Sequence, residues 1–112
     1  MAVEDDVPEG AAVFPLIPDE LGVHPLLLAV LHATVFLAGS ESAVVNAGAA
    51  AEVLEYIATY LQRLSGRDMD RVRADVNCLI EFARREKWPK QEVQFVKDFL
   101  SDYGVGRGAG SQ

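Results

Sequence analysis

The sequence predicts an all-α protein: a four-helix, up-and-down-like bundle with a central apolar first helix and an extended apolar arm ahead of it. Three observations carry this. Apolar residues recur at helical steps of three and four in the later segments, the breaks between segments are short and marked by Pro, Gly or Asn, and residues 26–38 are apolar on nearly every side. No window shows convincing strand alternation, and Val44-Val45 has no obvious partner strand.

The first ten residues are acidic and hold Pro8 and Gly10. They offer too little apolar surface to offset the entropy of ordering, so a mobile N-terminus is expected there. Residues 11–22 form the expected arm. Val13, Phe14, Leu16 and Ile17 are strongly apolar, while Pro15 and Pro18 bias their predecessors toward extended backbone. Large side chains grouped in this way need cover, and Phe14, Leu16 and Ile17 are candidate contacts to a second chain.

The first helix is expected over about 25–38, opening at Pro25, where the missing N–H costs nothing, and stopping at Gly39. A helix apolar all round is one surrounded by others. The second is expected over 46–65, capped by Asn46, with Ala50, Leu54, Ile57, Leu61 and Leu64 on one face. The third, over 68–87, carries Met69, Val72, Val76 and Ala83 and ends where Trp88 precedes Pro89. The fourth, over 89–103, carries Val93, Val96, Leu100 and Tyr103 and ends at Gly104. Residues 11–103 then read as a single helical domain, with 104–112 a flexible Gly-rich tail.

Length and composition narrow the functional classes. A chain of 112 residues fits one domain and buries about 65% of its unfolded surface without disulfides or a structural metal. Its one cysteine, Cys78, can neither close an internal disulfide nor build a Cys-based zinc site alone, which points to a reducing, cytoplasmic setting. There are 17 acidic and 10 basic residues, for a net charge of −7. Six of the acids and no base fall in the first 22 residues, and the first basic residue is Arg63. A secretory signal or a membrane span needs Lys or Arg much earlier, and the apolar run from Leu26 to Ala38 is too short for a bilayer.

Side-chain chemistry suggests a few sites. His32 is a titratable group on the apolar first helix and needs a partner if buried. Glu52, Tyr56 and Tyr60 of the second helix are candidate partners, and with His32 they outline a possible ligand pocket between helices one and two. Glu52 and Glu55 share a helix face, yet residue 58 is Ala and no Glu-x-x-His motif accompanies them, so no metal site is expected. Tyr56 and Tyr60 also offer aromatic area with hydroxyl groups, as contact surfaces do. Arg84, Arg85, Lys87, Trp88 and Lys90 form the one basic, aromatic cluster. The acidic balance and the interspersed Glu81, Glu86 and Glu92 weigh against nucleic acid there, and Trp88 is instead a candidate contact residue plugging the turn.

No cofactor motif appears. The tail glycines are followed only by Ser111 and Gln112, whereas a phosphate-cradling loop must lead into a helix. Walker, Gly-x-Ser-x-Gly, His-Glu-x-x-His and Cys-x-x-Cys patterns are absent. The expectation is a small cytoplasmic interaction or regulatory module, homodimeric or bound to another protein, and more a binding protein than an enzyme. A small-molecule binder using the His32 pocket is the alternative, and nucleic-acid binding through residues 84–90 the third reading.

Overall fold

The computed structural model describes residues 9–105. The expected mobile N-terminus up to residue 8 and most of the Gly-rich tail, from residue 106, lie outside the described residues. Four α-helices follow one another: α1 (Pro25–Gly39), α2 (Ala47–Leu61), α3 (Gly66–Arg85) and α4 (Lys90–Asp102). Among the described residues a 3-10 turn at Asp19–Leu21 precedes them, and there is no strand. None of these helices is long and apolar enough to cross a membrane.

The chain divides into two compact units. Among the described residues, the first holds 9–17 together with Pro25–Tyr56. Within it, the segment before Pro18 has no helix or strand and runs back past the end of α1. The amide of Glu41 donates to the Gly10 carbonyl at 2.8 Å, and the amide of Ala12 donates to Ser40 Oγ at 2.9 Å. Gly39 makes this approach possible: a Cβ there would stand 2.8 Å from the Ala12 Cβ, closer than two carbons tolerate. Further along, the buried Phe14 meets the His32 ring edge-on, with centroids 5.2 Å apart. Phe14 and Ile17 are thus buried within this chain, while Leu16 between them is 90% exposed.

The sequence predicts α1 to be sheltered all round, and here the structure differs. Leu27, Leu31 and Thr34 are its buried residues, whereas Leu26 is 71% and Phe36 40% exposed. The buried Thr34 satisfies itself by donating its hydroxyl to the Leu31 carbonyl. α2 is capped by Asn46, whose Oδ1 accepts the Ala49 amide at 2.8 Å, and of its fifteen residues only Ala50 is buried. It ends at Leu61, short of the expected 65, because the amides of Arg63 and Leu64 turn to carbonyls three residues back.

The second unit holds Pro18–His24 and, among the described residues, 57–105. α3 and α4 pack closely, and their buried residues follow helical spacing: Met69, Val76, Leu79 and Ala83 on one, Val96 and Phe99 on the other. The 18–24 segment is clamped to α3 through Asp75, a buried carboxylate. Asp75 accepts the His24 amide at 3.0 Å and the Arg71 Nε at 2.9 Å, while Arg71 Nη2 donates to the Gly22 carbonyl at 3.1 Å. Cys78 sits half-buried with Sγ 3.8 Å from the Leu21 carbonyl, a packed residue on the same clamp.

Both helices of this pair end in the same hydrogen-bonded motif. After α4 the amides of Gly104 and Val105 return to the carbonyls of Ser101 and Leu100, and Gly104 takes the positive φ of 71° that this Schellman ending requires. After α3 the amides of Lys87 and Trp88 return to Arg84 and Ala83 in the same pattern. There the left-handed position is held by Lys87, φ 58°, and the accompanying apolar contact is Trp88 edge-on against Phe82 at 6.0 Å.

Tyr103 closes α4 half-buried, its ring tilted on Phe99 at 5.3 Å. Burial, and then the charge of Asp102, hold its phenol above the usual value of 10. The folded state therefore keeps this proton longer than the unfolded chain. Its stabilising contribution is complete below about pH 10 and is lost as pH rises through the raised folded value. Comparing parent and Tyr103→Phe by thermal unfolding at neutral and alkaline pH should show the parent losing more stability above pH 10. Parallel curves would exclude a coupled phenol.

Candidate functional site

The four residues expected to outline a ligand pocket are not drawn into one cluster of contacts. Glu52 and Tyr56 do meet: the phenol donates to the carboxylate at 2.6 Å on the exposed face of α2. That bond, with lesser help from residual burial and the Glu55 charge, raises the Tyr56 pKa. His32 instead lies half-buried against Phe14, and Tyr60 carries the Arg63 guanidinium 5.0 Å above its ring. Periodicity places these residues on helices but does not fix which way each helix is turned. Among the described residues no three His, Cys, Asp or Glu side chains gather as a metal site needs.

Two other surfaces have the character of sites. The first is the outer face of α1. Leu26, Ala29, Ala33 and Phe36 are all exposed and succeed one another at steps of three, four and three, which puts them on one stripe of the helix. α1 contains no Asp, Glu, Lys or Arg, so this stripe carries no formal charge, and the half-buried His32 borders it beside Ala29 and Phe36. Short side chains in its middle allow close backbone approach, with Leu26 and Phe36 supplying bulk at the ends.

The second is a groove at the α3–α4 turn, of about 650 Å³. Arg84, Lys87, Lys90 and Lys97 line it together with Trp88. The Schellman ending reverses the chain at Lys87, and α4 begins directly after its N-cap Pro89, so the end of one helix and the start of the next share a wall. Lys90, Gln94 and Lys97 fall on one face of α4 by their spacing of four and three. Glu86 and Glu92 interrupt the basic run in sequence, but neither they nor Glu81 line the groove. A pairing of Glu81 with Arg84 or Arg85, which their spacing permits, does not form among the described residues. Arg85 instead lies 5.8 Å over the Phe82 ring.

No family model, curated protein or solved structure matches this chain. Function must therefore be argued from these surfaces alone. Lys97 is the groove residue that a reading of contiguous runs leaves out. Its signal is present all the same, since it lies seven residues, two helical turns, beyond Lys90. The α1 stripe is similarly concealed, because a helix apolar on all sides does not show which side its own chain will cover.

Proposed function

We propose that this chain is a small helical interaction module that self-associates through the outer stripe of α1. The observation that carries this reading is the exposed, uncharged Leu26–Ala29–Ala33–Phe36 face. Isolated exposed apolar residues are ordinary on a soluble protein, but four exposed apolar residues in one uncharged stripe mark a contact surface. A second copy suits it for two reasons. The face is free of charge, so two molecules of net charge −7 meet where their like charges are absent. An antiparallel crossing also sets Ala29 of each helix near Ala33 of the other, with the larger residues closing the ends.

Pairing in this way reconciles the all-round apolar sequence of α1 with its one-sided burial. The bundle with a central first helix is then completed across two chains rather than within one. Leu16, exposed on the apolar arm, is available to extend the same contact. This reading assigns no catalytic step and no cofactor, and it places the module in the cytoplasm, in keeping with the lone cysteine.

Sedimentation equilibrium of the parent chain should show a dimer. The double variant Leu26→Glu, Ala33→Glu should dissociate about a hundredfold or more readily with an unchanged helical spectrum, since both positions are exposed in the single chain. A parent that stays monomeric at tens of micromolar, or a double variant as dimeric as the parent, refutes self-association through α1.

A further inference from the structure

We propose that the groove at the α3–α4 turn binds a nucleoside phosphate, its phosphate held by Lys87, Lys90 and Lys97 and its base set against the Trp88 indole. This is independent of the α1 contact, which lies in the other unit.

Charge is the first support. Four cations share one concave surface, no carboxylate lines it, and none of the four has an ion pair among the described residues. Holding like charges together is unfavourable until an anion joins them, and in a protein with seven more acids than bases such a patch runs against the overall composition. At physiological ionic strength, charges more than about 8 Å away are largely screened, so the groove's own lining governs what it attracts.

The aromatic and amide groups then narrow the class of anion. A carboxylate-rich peptide would need only the cations. Trp88 adds a π surface on which a base can stack, Gln91 adds an amide able both to donate to and accept from a base edge, and Gln94, whose Nε2 donates to Asp98 at 2.8 Å, adds an acceptor oxygen. A ligand with a phosphate at one end and a flat heteroaromatic ring at the other uses all three kinds of group. The groove volume, about 650 Å³, falls in the range of small-molecule sites. The same chemistry reaches the protein from two sources, a free mononucleotide or one unit of a single strand.

Trp88 is the only tryptophan in the chain, so its fluorescence reports directly on the site. Full-length protein is titrated at low salt with AMP and with a single-stranded oligonucleotide of about eight nucleotides, a span typical of one small binding surface. Saturable quenching is expected. Equal affinity per site for the two ligands assigns the free nucleotide, whereas tighter, steeply salt-dependent binding of the oligonucleotide assigns the strand. Lys90→Gln combined with Lys97→Gln, both at exposed positions, should weaken binding roughly tenfold or more. For a strand it should also lower the slope of log affinity against log salt by about 1.4, or about 0.7 for each phosphate that is no longer neutralised. Quenching by neither ligand, undiminished binding by the double variant, or polyglutamate binding as tightly as the nucleotides would each overturn the proposal, the last by making the groove an acidic-peptide site.

Discussion

Phe99→Ala should cost about 3–5 kcal/mol, the range for deleting a fully buried aromatic side chain. Phe99 is completely inaccessible, stands between Phe95 at 6.0 Å and Tyr103 at 5.3 Å, and lies on the face of α4 that packs against α3. Val96, Leu79 and Ala83 are equally inaccessible, so the deletion opens a cavity in a closely packed core. Against a total stability of about 5–15 kcal/mol for a domain of ordinary size, such a loss leaves the second unit close to unfolding. Phe99→Leu, which keeps most of the volume, should cost about 1.5 kcal/mol or less. Urea unfolding followed by helical signal measures both; an alanine variant within about 1 kcal/mol of the parent would mean that this residue is not central to the α3–α4 core.

Asp75→Ala should cost about 2–3 kcal/mol, and the origin of that figure can be separated experimentally. Two interactions disappear, the ion pair with Arg71 and the bond from the His24 amide. Arg71 has a side-chain exposure of 51%, so water screens the ion pair and its share is small. The larger part comes from the amide, which loses a charged acceptor in a partly buried place. Asp75→Asn keeps an oxygen for that amide while removing the charge, so it should be the milder change by about 1 kcal/mol. Amide exchange at His24 should rise sharply in the alanine variant as the 18–24 segment opens from α3. Equal losses for the two substitutions would place the energy in the ion pair instead.

Much of the helical organisation is legible in the sequence because it follows from local rules. The stripe through Met69, Val76 and Ala83, the Asn46 cap and the glycine at 104 each signal an element or its end within a few residues. What depends on partners far along the chain is not legible in this way. Asp75 looks like one more polar residue on α3 until His24, fifty-one positions away, is seen to donate to it. The candidate sites fare similarly. The composition of α1 announces burial without saying whose surface provides it, and the tyrosines of α2 are readable as residues but not as a pocket, since the turn of a helix about its axis is set by packing. The basic cluster is visible as a run, but its concave form arises only when α4 folds back from α3, so that the face carrying Lys90 and Lys97 lines one groove with Arg84 and Lys87.

The two Schellman endings carry one more implication. At position 104 backbone preference and residue type agree, whereas at position 87 an L-amino acid occupies a conformation that suits glycine better by about 1 kcal/mol. Fold and electrostatics thus make opposing demands on a single residue. Glycine, the residue that would relax this turn, has no ammonium group, so Lys87→Gly removes the strain and one of the groove's cations together.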